Sequence, residues 1–196
     1  MTQEQPYAVV RSLTGGAELR HYPAHVVAEV KTDGSFSSAG NIAFGPLFAY
    51  INGENRPRQT VAMTAPVVQS SGPRERVAMT APVVQQGGDD GSYTVAFVLP
   101  ASMTEETAPE PSNPRVRLRT VPARLAAALA YSGRWSQASY EQHCARLRQA
   151  LEIEGLAPVG SPRFARFDPP FKPWFLRRNE VVIDVEEPAE PGGGGA

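Results

Sequence analysis

The tightest constraint on the fold is a pattern that occurs twice. Residues 24–31 (AHVVAEVK) alternate apolar and polar side chains, with Ala24, Val26, Ala28 and Val30 on one face, as a half-buried strand does. Gly34-Ser35-Phe36-Ser37 follows, and then a stretch with helical periodicity. Ninety-nine residues further on, residues 125–131 lead into Gly133-Arg134-Trp135-Ser136 and a second helical stretch. Glycine first, an aromatic third and serine fourth recur at the same junction, and more strands follow each helix. The chain therefore reads as a duplicated strand–helix–strand–strand unit of α+β class, with pseudo-repeats at about 7–100 and 115–185. The duplication settles one local conflict. Residues 124–131 (RLAAALAY) are rich in helix-favouring Ala and Leu, but their place in the repeat makes them a strand.

The second helix is expected over residues 136–154. Ser136 is placed to cap it, Gly155 to end it, and Tyr140, Cys144, Leu147 and Leu151 form its apolar stripe. The first is expected between Ser37 and Asn52, with Ser37 in the capping place, Phe44, Leu47, Phe48 and Ile51 as its stripe, and Gly53 as its stop. Pro46 falls inside it, which predicts a kink or a start near Gly45. Strands are expected at residues 7–13 and 17–22, joined by a Gly15-Gly16 turn, and at 93–99, 115–121 and 181–185. With 17 glycines and 19 prolines in 196 residues, a mostly helical protein is excluded.

Residues 1–6, 86–91, 101–114 and the tail 186–196 (EEPAEPGGGGA) lack apolar periodicity and are expected to be loose. The formal net charge of −1 supplies no general field for nucleic acid or an anionic membrane. One cysteine, Cys144, excludes a disulfide framework and a Cys-based metal cluster. There is no apolar run long enough to span a bilayer, and the polar start has no signal-peptide pattern, so a cytoplasmic protein is expected. The nonapeptide VAMTAPVVQ stands at both 61–69 and 77–85. It reads as a recent tandem duplication lengthening a hairpin, or as two Met-bearing strands beside one pocket.

Several segments in this order carry a family resemblance. They are Glu18-Leu19-Arg20-His21-Tyr22; Tyr50-Ile51-Asn52-Gly53 with Asn55; Met63-Thr64-Ala65-Pro66-Val67; Phe97-Val98-Leu99-Pro100; Tyr131-Ser132-Gly133; Phe167-Asp168-Pro169-Pro170; and Asn179-Glu180-Val181. The chain resembles the SOUL haem-binding proteins from about residue 7 to 185. The resemblance implies a distorted antiparallel β-barrel with two helices packed outside it. It also implies binding of haem or another tetrapyrrole in a shallow apolar groove. Part of the family uses the histidine of the Arg-His-Tyr segment as a proposed axial iron ligand, and that position is His21. Other members lack this histidine and bind porphyrins through apolar and basic contacts.

Haem needs a flat apolar surface, cations for two propionates and a ligand for iron. The ligand candidates are His21, His25, His143, Met63, Met79 and Cys144, with His21 favoured by the motif and Cys144 reading best as a small buried apolar residue. Porphyrin contacts are expected from Phe44, Leu47, Phe48 and Ile51 on the first helix and from Met63 and Met79. Arg56 and Arg58 are placed to meet a propionate. Arg177-Arg178 beside Trp174 and Phe175 could stack a flat ligand, or fold the C-terminal loop back onto the body. Nucleophile-elbow, zinc-protease and phosphate-loop signatures are absent from the sequence. Glu18 and Glu180 leave open an enzyme using a groove carboxylate, and the duplicated fold leaves open an effector-binding or interaction module. A non-catalytic tetrapyrrole carrier, buffer or sensor is the reading the sequence favours.

Overall fold

The computed structural model describes residues 3–56, 77, 80–88, 92–168 and 171–186. Its strands are β1 (Gln3–Glu4), β2 (Ala8–Ser12), β3 (Glu18–Tyr22), β4 (His25–Asp33), β5 (Asn55–Arg56), β6 (Thr80–Gly87), β7 (Ser92–Val98), β8 (Glu110–Pro111), β9 (Arg117–Val121), β10 (Arg124–Ser132), β11 (Pro158–Arg166) and β12 (Arg178–Val185). Helix α1 is Phe36–Ile51 and α2 is Gln137–Ile153. The described residues divide into two compact units. The first holds residues 3–6 and Ala24–Pro122; the second holds Tyr7–Pro23 and residues 123–186.

Each unit repeats one plan. In the first, the strand order is β1-β6-β7-β4-β9, with α1 packed on β4 and β7. In the second it is β11-β12-β10-β3-β2, with α2 packed on β10 and β12. The units β4-α1-β6-β7 and β10-α2-β11-β12 are the expected strand–helix–strand–strand duplication, and the α+β class stands. In each, an additional strand lies beside the first strand of the repeat: β9 beside β4, β3 beside β10.

The shared glycine has a physical reason. Gly34 and Gly133 leave the strand at φ of 130° and 145°, a region other residues avoid. A Cβ on Gly34 would come within 2.7 Å of the Ser38 hydroxyl. The caps differ between units. Ser136 accepts from the Ser139 amide as expected. In α1 the cap is Ser35 rather than Ser37, in a reciprocal pair with Ser38, so the helix begins at Phe36 and buries that ring.

Residues 124–132 are indeed a strand. β10 lies between β3 and β12 and is buried on both faces: Leu125, Ala127 and Leu129 meet α2, while Ala126 and Ala128 pack with Tyr22 and Val182. Burial of both faces and two full ladders outweigh the modest helix preference of Ala and Leu.

The structure corrects several expectations. α1 continues through Pro46, so a start near Gly45 is not found. Its buried side is Phe36, Ala39, Gly40, Ala43, Leu47, Tyr50 and Ile51, while Phe44 and Phe48 lie about 40% exposed on another face. Residues 101–114 are anchored rather than loose. Ala108 is fully buried, Thr104 and Thr107 exchange hydrogen bonds, Glu105 accepts from the Thr120 amide and hydroxyl, and β8 pairs with β5. Gln3–Glu4 pairs in parallel with β6 instead of lying free. Of the duplicated nonapeptide, the second copy enters β6, with Pro82 at the register shift between Thr80 and Val83, where a strand tolerates proline. The first copy with Met63, Arg58, Met79 and the tail beyond residue 186 lie outside the described residues.

Candidate functional site

Among the described residues of the first unit, an exposed apolar feature is a pair of rings one helical turn apart. Phe44 and Phe48 stack with centroids 5.4 Å apart and planes 17° from parallel. They are 40% and 43% exposed, and Phe44 sets its ring edge-on to the buried Phe97 at 5.6 Å. Leu47 and Ile51, expected beside them as contacts, are 0% and 5% exposed in the core and offer a ligand no surface. Arg56 is exposed on β5, just beyond the end of the same helix.

The motif residues that follow α1 hold the backbone. Asn55 Nδ2 donates to the Tyr50 carbonyl at 2.8 Å, and the Tyr50 hydroxyl donates to the Pro109 carbonyl at 2.9 Å. Gly53, at φ 105°, lets the chain reverse. This network ties down the turn that leads from α1 into β5.

In the second unit, two motif segments far apart in sequence meet in one buried charge network. Glu18, Arg20 and Tyr22 alternate onto one face of β3. Arg20 donates to Glu180 through two nitrogens at 2.8 and 3.3 Å, to Glu18 at 2.8 Å and to the Tyr22 hydroxyl at 3.2 Å. Its guanidinium lies 4.1 Å from the Tyr7 ring centroid. Arg178 adds a second guanidinium to Glu180 at 2.9 Å. Burial by itself lowers the Arg20 pKa, but the hydrogen bond and charge of Glu180 outweigh it, so the net shift is upward. Burial also pushes the Tyr22 phenol up.

Glu180 is thus buried and committed to two guanidinium groups. A second cluster on this sheet joins Asp184 to Arg124 and, through two hydrogen bonds of 2.6 Å, to Arg163. Sequence reading singled out Glu18 and Glu180 but missed Arg20 as their partner. The period-2 placement of Glu18, Arg20 and Tyr22 was the available signal.

The three histidines have separate settings. His21 is exposed on β3, in the second unit, and its ring makes no hydrogen bond among the described residues. His25, in the first unit, lies 3.1 Å from Gln5 Nε2. His143 donates from Nδ1 to the Ser139 carbonyl at 2.7 Å and stacks on Tyr131 at 3.7 Å. Cys144 is buried in the α2 packing stripe, and burial raises its thiol pKa. Among the described residues, no three His, Cys, Asp or Glu side chains converge as a metal centre. No described helix is long and apolar enough to cross a membrane.

A family model described as SOUL heme-binding protein matches residues 2–184, nearly the whole chain. The chain belongs to the SOUL heme-binding protein family. Curated protein sequences give no match. Among solved structures, the C-terminal domain of EcmrR is similar at 14% identity and a TM-score of 0.60, over 93% of this chain and 99% of that one. A hydrolase from Listeria innocua is similar at 17% identity and a TM-score of 0.57, over 92% and 94%. An uncharacterized conserved protein from the same organism gives 15% identity and 0.59, over 87% and 92%. At these identities the likeness is one of fold, and a fold hosts many functions.

Proposed function

We propose that this SOUL-family chain binds haem or a related tetrapyrrole against the outer face of α1. The observation that carries the proposal is the exposed, stacked Phe44–Phe48 pair. Two near-parallel rings anchored on Phe97 give a preformed apolar platform for a flat macrocycle. Arg56 supplies a cation to a propionate by a charge-assisted hydrogen bond. Haem, when bound, supplies the redox and ligand-exchange chemistry of its iron. His21, an exposed imidazole of the second unit, is the axial-ligand candidate that the family motif implies, and it is proposed apart from the α1 face, whose porphyrin packing does not depend on it.

Titration with hemin and with metal-free protoporphyrin tests both parts. Each ring retains roughly 1 kcal/mol of burial to gain, so Phe44→Ala with Phe48→Ala weakens both ligands by about tenfold or more. His21→Ala changes the Soret spectrum of bound hemin and leaves protoporphyrin affinity unchanged. A hemin spectrum identical to that of free hemin overturns the binding proposal. A Soret band unaffected by His21→Ala overturns the ligand assignment alone.

A further inference from the structure

At one end of the second unit, four large apolar side chains stand in solvent. Phe171 is 87% exposed, Phe175 58%, Leu176 56% and Trp174 48%. Exposure this high means that the side chains project from the surface rather than line a recess. Their backbone is nonetheless tied down. The Asp168 carboxylate accepts from Lys172 Nζ at 2.7 Å and from the Arg178 amide at 2.6 Å. Arg177 Nε donates to the Lys172 carbonyl at 2.7 Å, and Trp174–Leu176 form one 3-10 turn closed from the Leu176 amide to the Pro173 carbonyl at 2.9 Å.

Cations surround this tip. The Arg134 guanidinium lies 5.0 Å from the Trp174 ring, and Arg177 lies 4.4 Å from the Trp135 ring. Trp135 is itself fixed by donating to Asn179 at 2.8 Å. The carboxylates of the segment are already engaged, Asp168 as above and Glu180 with Arg20 and Arg178. The face presented outward is therefore apolar at its tip and basic around it.

We propose that residues 171–177, with Arg134, form a membrane-surface anchor for an anionic bilayer. A protruding tip of Phe, Trp and Leu suits a fluid phase that closes around it. Tryptophan favours headgroup depth, where its ring is buried and its N–H stays wet. Arginines beside it keep their stems in the apolar layer and their charge among lipid phosphates. The hydrogen bonds along the segment have already ordered it, which removes part of the entropic cost of insertion. The net charge of −1 gives the whole chain no long-range pull, so the attraction is local and falls off within a Debye length. One such tip gives weak, reversible attachment rather than a permanent one.

Co-sedimentation with phosphatidylcholine vesicles, and with phosphatidylcholine–phosphatidylserine vesicles at three to one, tests the assignment. The wild-type chain sediments with the anionic vesicles, and Trp174 fluorescence shifts to the blue, a shift that Trp174→Phe removes. Phe171→Ser with Phe175→Ser abolishes sedimentation while the melting temperature and hemin titration stay at wild-type values. Arg134→Gln weakens binding to anionic vesicles by about fivefold, the worth of one basic residue at such a surface. Failure of the wild-type chain to bind the anionic vesicles overturns the proposal. So does a Phe171→Ser/Phe175→Ser variant that binds them normally, or one that loses hemin binding, which would make the tip a tetrapyrrole or protein contact.

Discussion

Replacing Glu180 is the sharpest probe of the buried charge network. Glu180 is 1% exposed, and its carboxylate receives Arg20 twice and Arg178 once. Glu180→Gln keeps the shape and removes the charge. It leaves the Arg20 guanidinium, whose side chain is only 4% exposed, with the Tyr22 hydroxyl and the 38%-exposed Glu18. Breaking a buried ion pair from one side costs about 3–5 kcal/mol. Glu18→Gln removes a contact to the same guanidinium, but from a solvated carboxylate, at about 0–1 kcal/mol. In a chain of this size each kcal/mol lowers Tm by about 2–4 °C. Glu180→Gln therefore melts roughly 6–20 °C below the parent, and Glu18→Gln within about 4 °C of it. Arg20→Met with Glu180→Leu removes both charges together and loses less than Glu180→Gln alone, because no charge is left buried and unpaired. Scanning calorimetry and urea titration of the three variants measure this. Equal losses for Glu180→Gln and Glu18→Gln, or a double variant less stable than Glu180→Gln, would refute the reasoning.

Further outcomes are expected for four other variants. A hydrogen bond from Arg11, then those from the Thr14 hydroxyl and amide, hold the Glu154 carboxyl at about 2, below its ordinary 4.5; this stabilises the fold above pH 4.5 and is lost as the pH falls toward 2. Glu154→Gln is accordingly less stable than the parent at neutral pH and converges with it in acid, as urea midpoints against pH will show. Tyr50→Phe leaves the buried Pro109 carbonyl without its donor, costing about 1–3 kcal/mol and speeding amide exchange at Ala108, measurable by mass spectrometry. Gly155→Ala, at φ 66° in open space, costs about 1 kcal/mol by chemical denaturation. Gly34→Ala costs more, since its Cβ also meets the Ser38 hydroxyl.

The repeat was legible in the sequence because both copies need the same backbone: a glycine at positive φ carries each chain from strand to helix. That periodicity also overrode the helix preference of residues 124–131. Capping was read less well. Ser35 and Ser37 are both competent oxygens, and only the burial of Phe36 decides for Ser35. The Phe44–Phe48 face was hidden by α1 itself, which is apolar nearly all round; side-chain type cannot say which apolar face meets the sheet. Residues 101–114 looked loose because their anchors, Tyr50 and Thr120, come from distant segments. Alternation along β3 marked the face that Arg20 shares with Glu18 and Tyr22, but nothing local named Glu180, 160 residues away, as its partner.

The path of the chain through the two units governs the order in which they can be made. The β2–β3 hairpin belongs to the second unit, yet the whole of residues 24–122 is synthesised before β10 arrives to pair His21 with Leu125. Until then β3 has one open edge, a template for pairing with any other nascent strand. No single cut within residues 24–122 separates one unit from the other. A break there leaves the second unit in two fragments that must find each other. Fragments ending before residue 124 should aggregate when expressed alone and be rescued when residues 123–186 are supplied in trans.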